Sequence, residues 1–140
     1  VNTIEFITIA TTGNAQEFGD LTAPTDEGAS VSSQTRALIG GGDSPSNTNI
    51  TNKIEFVTIA TTGNAQDFGD LSDGRSRLGS CSSTIRGVFI AGQSAEPATY
   101  SNVIDFVTIA STGNATDFGD ALGAGFEQSG CADVHGGLGD

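Results

Sequence analysis

This sequence predicts an all-β fold assembled from three copies of one four-stranded unit, and three observations carry the prediction. The chain aligns with itself at an offset of 50 residues. Thr3 to Asp20, Lys53 to Asp70 and Val103 to Asp120 superpose without a gap, with 15 of 18 positions identical between the first two copies and 14 between the second and third. Gly accounts for 20 of 140 residues, Trp and Met are absent, and the polar remainder is dominated by Ser, Thr, Asn and Asp, which favour turns. No window carries apolar residues at helical spacing without glycine or β-branched interruptions, so almost no helix is expected. Self-similarity at such a period marks a propeller, a solenoid or an array.

The elements follow in order. Ile54-Glu55-Phe56-Val57-Thr58-Ile59-Ala60 reads as a strand of β-branched and aromatic residues, Thr62-Gly63-Asn64 as a turn, and Ala65 to Leu71 as the returning strand. Ile54 and Phe56 fall on one face and Val57 and Ile59 on the other, which calls for a sheet covered on both sides. Leu78 to Ser83, a tight turn at Thr84-Ile85, and Arg86 to Gly92 supply two more strands, repeated in the first copy as Ala29 to Ser33 and Arg36 to Gly42. Four short antiparallel strands per unit, packed by like neighbours, predict the blades of a β-propeller. The repeat cores are 2–43, 52–93 and 102–140, with variable loops at 43–51 and 93–101.

Glycine-ended strands such as Ala37-Leu38-Ile39-Gly40-Gly41-Gly42 precede a variable loop, then Asn-x-Ile-(Glu/Asp)-Phe, a polar turn, and a second aromatic at Phe68. This order resembles the Kelch repeat across essentially the whole chain, and the resemblance implies a propeller. It departs from the pattern in using Phe for Tyr and Trp, and in keeping the glycine pair only at Gly40-Gly41-Gly42 and Gly136-Gly137. The string Thr-Ile-Ala-Thr-Thr-Gly-Asn-Ala-x-(Asp/Glu)-Phe-Gly-Asp is also similar to repeats in structural proteins of marine bacteriophages. That similarity implies a tail, fibre or other virion part engaged in host attachment.

The register leaves half a blade at each end of the chain. Such halves are expected to pair with one another, in a homo-oligomer such as a six-bladed dimer or with a continuation of the same array; an open array would instead make a fibre.

The repeated acids Asp20, Asp70 and Asp120, and Glu5, Glu55 and Asp105, argue against catalysis. An active site needs unlike groups at one place, whereas a residue recurring once per unit is a turn cap or an acceptor between blades. Arg36 and Arg86 share one repeat position and are expected to bridge neighbouring blades. No cofactor is expected. Acids spaced this widely, without an Asp-x-Asp-x-Asp run, do not make a calcium loop. His135, the only histidine, leaves zinc, copper-oxidase and Ser-His-acid chemistry short of a partner. Cys81 and Cys131 lie one repeat apart, and Val31 in the first copy makes the position a small buried side chain. Two glycosylation sequons, at Asn49 and Asn114, are unremarkable in a chain so rich in Asn and Thr.

Seventeen acidic against five basic residues give a net charge of −12, which opposes binding to nucleic acid or to an anionic membrane. No apolar run reaches the roughly 20 residues of a membrane span, and the first residues offer neither a basic n-region nor an apolar h-region, so no signal peptide is expected among them. The loops that vary between copies are the natural place for recognition. Asp43, Asn47, Asn49, Glu96 and Tyr100 are the candidate contacts, through polar groups that can hydrogen-bond sugar hydroxyls and a ring that can stack on a glycan. The expectation is therefore a non-enzymatic structural or adhesive module, in a virion or extracellular setting, that binds a host-surface glycan or protein.

Overall fold

The structure is a computed structural model that describes residues 1–44, 49–94 and 99–132. Within them lie strands β1 (Thr3–Phe6), β2 (Gln16–Asp20), β3 (Ala29–Ser32), β4 (Arg36–Gly40), β5 (Lys53–Thr58) and β6 (Gln66–Asp70), followed by β7 (Arg75–Ser76), β8 (Gly79–Ser82), β9 (Arg86–Ser94), β10 (Tyr100–Thr108) and β11 (Thr116–Asp120). There is no helix among the described residues, so the expected all-β character holds. The local strand assignments of the second copy also hold: β5 and β6 form the predicted hairpin, and β8 and β9 the predicted pair.

The propeller does not. The strands form three separate open sheets: β1-β2, the antiparallel meander β3-β4-β5-β6, and a five-stranded sheet in which β11, β10, β9 and β7 run in order and β8 also pairs with β9. None closes on another, and the sheets carry two, four and five strands in place of three equal blades. Among the described residues the two ends of the chain are unlike one another. The first stands alone as a two-stranded sheet, and Ser129 to Ala132, at the offset of β8, form no strand. The reason is physical: an antiparallel unit satisfies its backbone internally whatever the angle to its neighbour. Its strand pattern therefore does not encode the rotation that a ring needs. The fifth strand arises because β9 and β10 each run for nine residues, long enough for Arg75 and Ser76 to pair with Ser94 and Gln93.

The three hairpins β1-β2, β5-β6 and β10-β11 share one irregularity. Ile54 faces Gly69 while Glu55 faces Asp67, leaving Phe68 as the extra residue of a bulge, and the first and third hairpins repeat it at Phe18 and Phe118. Each bulge is followed by a glycine at positive φ, 158° at Gly19, 147° at Gly69 and 138° at Gly119. In each hairpin the extra Phe meets the Phe of the opposite strand edge to face, with ring centroids 5.9–6.0 Å apart.

The core lies between the second and third sheets. Leu38, Ile54, Phe56 and Phe68 from one side meet Leu78, Phe89, Val107 and Ile109 from the other. Phe89 is wholly buried, and its ring occupies the space a Cβ on Gly40 would need. Burying such a ring is worth roughly 1.5–3 kcal/mol. Val31 likewise fits against Gly87, so large and small residues interlock between the sheets.

Candidate functional site

Each unit meets the next through the same groups. Beyond β5 a β-turn closes from the Thr61 N–H to the Thr58 carbonyl at 3.2 Å, and it recurs at Thr8–Thr11 and Thr108–Ser111. The chain then lies along the outer edge of β2. Gly63 N–H donates to the Phe18 carbonyl and Ala65 N–H to the Asp20 carbonyl, both at 2.8 Å, while Asn64 Oδ1 accepts from the Asp20 N–H at 3.1 Å. One repeat later Gly113, Asn114 and Ala115 make the same three bonds to Phe68 and Asp70, at the same distances. An otherwise open strand edge is thus covered by the neighbour's loop.

The first-strand acid completes the junction. Glu55 Oε1 accepts from the Thr22 N–H at 3.1 Å; Asp105 Oδ2 accepts from the N–H and hydroxyl of Ser72 at 3.2 and 2.8 Å. A second ladder runs at the full repeat offset. Arg77 N–H donates to the Glu27 carbonyl at 2.8 Å and Glu127 N–H to the Arg77 carbonyl at 2.9 Å, each residue held in the left-handed region. Arg77 Nε also donates to Glu27 Oε2 at 2.8 Å, and this bond raises the guanidinium's pKa further above its ordinary value.

The residues singled out by sequence fall as follows. Asp20 and Asp70 sit at the junctions, and their main chain makes the contacts described. Asp120 occupies the same position on β11, with no loop across it among the described residues. Arg36 joins the second and third sheets, its Nη1 donating to the carbonyls of Ile109 and Ala110 at 3.1 and 3.0 Å, with its guanidinium 4.6 Å over the Phe56 ring. Arg86 stacks on Phe106 at the same 4.6 Å, and its side chain is exposed. Asp43 is buried, and its Oδ1 accepts from the Asn49 N–H at 3.2 Å. Tyr100 is exposed and stacks on Phe126, with centroids 4.9 Å apart. The structure does not bring Tyr100, on β10, to Asp43 and Asn49, which lie between β4 and β5. Asn47, Glu96 and His135, with the Gly136-Gly137 pair, lie outside the described residues. Cys81 is half-buried and Cys131 exposed, and both are free thiols. Among the described residues no group of three or more His, Cys, Asp or Glu converges on a metal site, and no helix is long and apolar enough to cross a membrane.

Sequence reasoning missed two groups. Asn14, Asn64 and Asn114 read as turn residues. Yet strict recurrence of a Gly-Asn-Ala string, longer than a turn requires, was a signal that its side chain has a fixed partner. Arg75 was missed altogether. It stands where the first copy has Thr25 and the third Gly125, so the break in the repeat was the available clue. Its side chain is fully buried and paired with the fully buried Asp105, and its Nη1 donates to the carbonyls of Ala91 and Val103 at 2.9 and 2.8 Å. Burial pushes the guanidinium below its ordinary pKa, while the charges of Asp105 and Asp73 act in the opposite direction.

The two outer units present halves of this junction. Phe118 on β11 is 57% exposed where Phe68 is 3%, and Ile9 is 93% exposed where Ile109 is 1%. Ile7, Leu122 and Phe126 extend the apolar surface on the same two units. Comparison with protein-family models and with curated proteins finds no match.

Proposed function

We propose that this chain is a non-enzymatic structural module that assembles end to end with further copies of itself. One observation carries the reading: the groups exposed on the outer units are those that bond to each other at the inner junctions. Gly13, Asn14 and Ala15 correspond to the loop that covers an edge, and Phe118, Gly119 and Asp120 to the edge that is covered. Glu5 and the Leu122 N–H correspond to the acid and its donor, and Arg86 to the arginine that spans units. A non-closing contact of this kind builds a linear array rather than a ring. The recurring acids sit one per unit without unlike groups around them, which supports a scaffold over an enzyme. A virion or an extracellular appendage is the setting that fits, as the similarity of the repeated string to phage structural proteins implies.

Sedimentation velocity tests the proposal. The chain should associate as its concentration rises, and the double variant Asn14→Ala/Arg86→Ala should weaken association at least tenfold, because it removes one acceptor at one end and a cation at the other. A chain that stays monomeric at all concentrations, or a variant that associates as the parent does, rejects it. Electron microscopy should show threads.

Adhesion is the second reading, favoured by the Tyr100-Phe126 stack, an exposed aromatic surface suited to a sugar face. A surface glycan should then bind the parent chain and lose at least fivefold in affinity in Tyr100→Ser. Equal binding by both removes this reading and leaves the first untouched.

A further inference from the structure

A cavity of about 230 Å³ opens beside β4 and β5, lined by Thr22, Thr25, Gly41, Asp43, Lys53 and Glu55. It occupies the repeat position that the Arg75 side chain fills one unit later. There the guanidinium is held by the Asp105 carboxylate and by the carbonyls of Ala91 and Val103. Fifty residues earlier these correspond to Glu55, Gly41 and Lys53, while Thr25 stands in place of the arginine and is too short to reach them. The receiving groups are therefore retained without the group they receive.

Charge points the same way. Glu55 and Asp43 are both 6% exposed. Glu55 Oε1 accepts from the Thr22 N–H at 3.1 Å and Asp43 Oδ1 from the Asn49 N–H at 3.2 Å. Among the described residues Lys53 is the one cation lining the cavity, and its Nζ donates to the Thr22 hydroxyl at 3.1 Å. Two carboxylates against one ammonium leave one negative charge in excess. In the next unit Gln93 replaces Asp43 and Val103 replaces Lys53, and the Arg75 guanidinium is the cation that answers the carboxylates of Asp105 and Asp73. Buried carboxylates favour a partner that is cationic and can also donate hydrogen bonds in a plane, which a guanidinium does and a spherical ammonium does not. The volume lies below the range of drug-sized pockets, which suits a single head group on a short alkyl stem.

We infer that this cavity is a binding site for a monoalkylguanidinium group, carried by a small solute or by an arginine side chain of a partner. The site is separate from the end faces argued to drive assembly, and its test is run in the Asn14→Ala/Arg86→Ala background so that the two outcomes do not mix. Ethylguanidinium is titrated into the chain and followed by calorimetry and by amide NMR shifts. Saturable binding at one site per chain is expected, with the largest shifts at Thr25 and Gly41.

Ethylammonium, with the same charge but no planar fork, should bind at least tenfold more weakly. Glu55→Gln, which keeps the oxygen that accepts from Thr22, should also lose at least tenfold. Thr25→Arg, which tethers a guanidinium in the cavity, should abolish binding. Thr25→Val controls for substitution at that position and should still bind. Non-saturating titration, equal affinity for ethylammonium, or unchanged binding in Glu55→Gln overturns the inference. A capped Gly-Arg-Gly peptide separates the sources: tighter binding than ethylguanidinium assigns the site to an arginine of a partner, and weaker binding to a free solute.

Discussion

Replacing Arg75 by Thr, the residue of the first copy at this position, should destabilise the protein by about 3–5 kcal/mol, because it leaves a buried carboxylate without its partner. Asp105 has no exposed surface, and its Oδ1 has no hydrogen-bond partner among the described residues even in the parent chain. The two Ser72 donors on Oδ2 cannot replace a full charge. Two carbonyls, of Ala91 and Val103, also lose their donor. Denaturant unfolding measures the effect. The paired substitution Arg75→Met/Asp105→Leu should recover most of the loss, since a well-packed apolar pair is often as stable as a buried ion pair. A loss below about 1 kcal/mol in Arg75→Thr would mean that water reaches Asp105, against the burial described here.

Gly69→Ala should be strongly damaging at its junction, and Gly119→Ala is the control for it. Both glycines sit at positive φ, 147° and 138°, so either change costs about 1–3 kcal/mol in backbone strain. They differ in what the new methyl group meets. At Gly69 it would lie 2.5 Å from the Gly113 carbonyl carbon and 2.9 Å from the Asn114 nitrogen, main-chain atoms on the neighbouring unit that cannot turn aside. At Gly119 nothing lies within 4 Å. The contact at Gly69 should add about 1–3 kcal/mol of overpacking to the strain, unless the third unit lifts away. In that case hydrogen exchange should accelerate at the Gly113 and Ala115 amides, which donate to β6. Equal stability of the two variants would show that the junction is not held as described. Gly119→Ala should also weaken end-to-end association, because its methyl group would meet the loop of an incoming copy.

Much of the unit was legible in advance. β-Branched and aromatic runs separated by Thr-Gly-Asn turns located β5, β6, β8 and β9, because side-chain alternation and turn chemistry are local properties. Arg36 and Arg86 were singled out by recurrence as bridges between blades, and their stacking over the Phe56 and Phe106 rings was not foreseen. Less of the candidate site could be read. The carboxylates of Asp20 and Asp70 drew attention, yet their main chain makes the bonds to the next unit, and every residue type carries the same main-chain groups. Of Asn64 and Gly69 only the turn potential was visible, not the partner across the junction.

Length, period and strand content follow from the residues alone, since each strand pair closes its own hydrogen bonds and needs no distant partner. Whether those units close into a propeller or stand as open sheets was decided by packing: by Phe89 against Gly40, Val31 against Gly87, and one loop laid along the edge of the unit before it. These contacts set the angle between neighbours, and no period in the sequence records an angle. The same limit hid Arg75 and the cavity beside Glu55, because a charge and the space that could hold one are matched only when residues 50 positions apart are placed in equivalent surroundings.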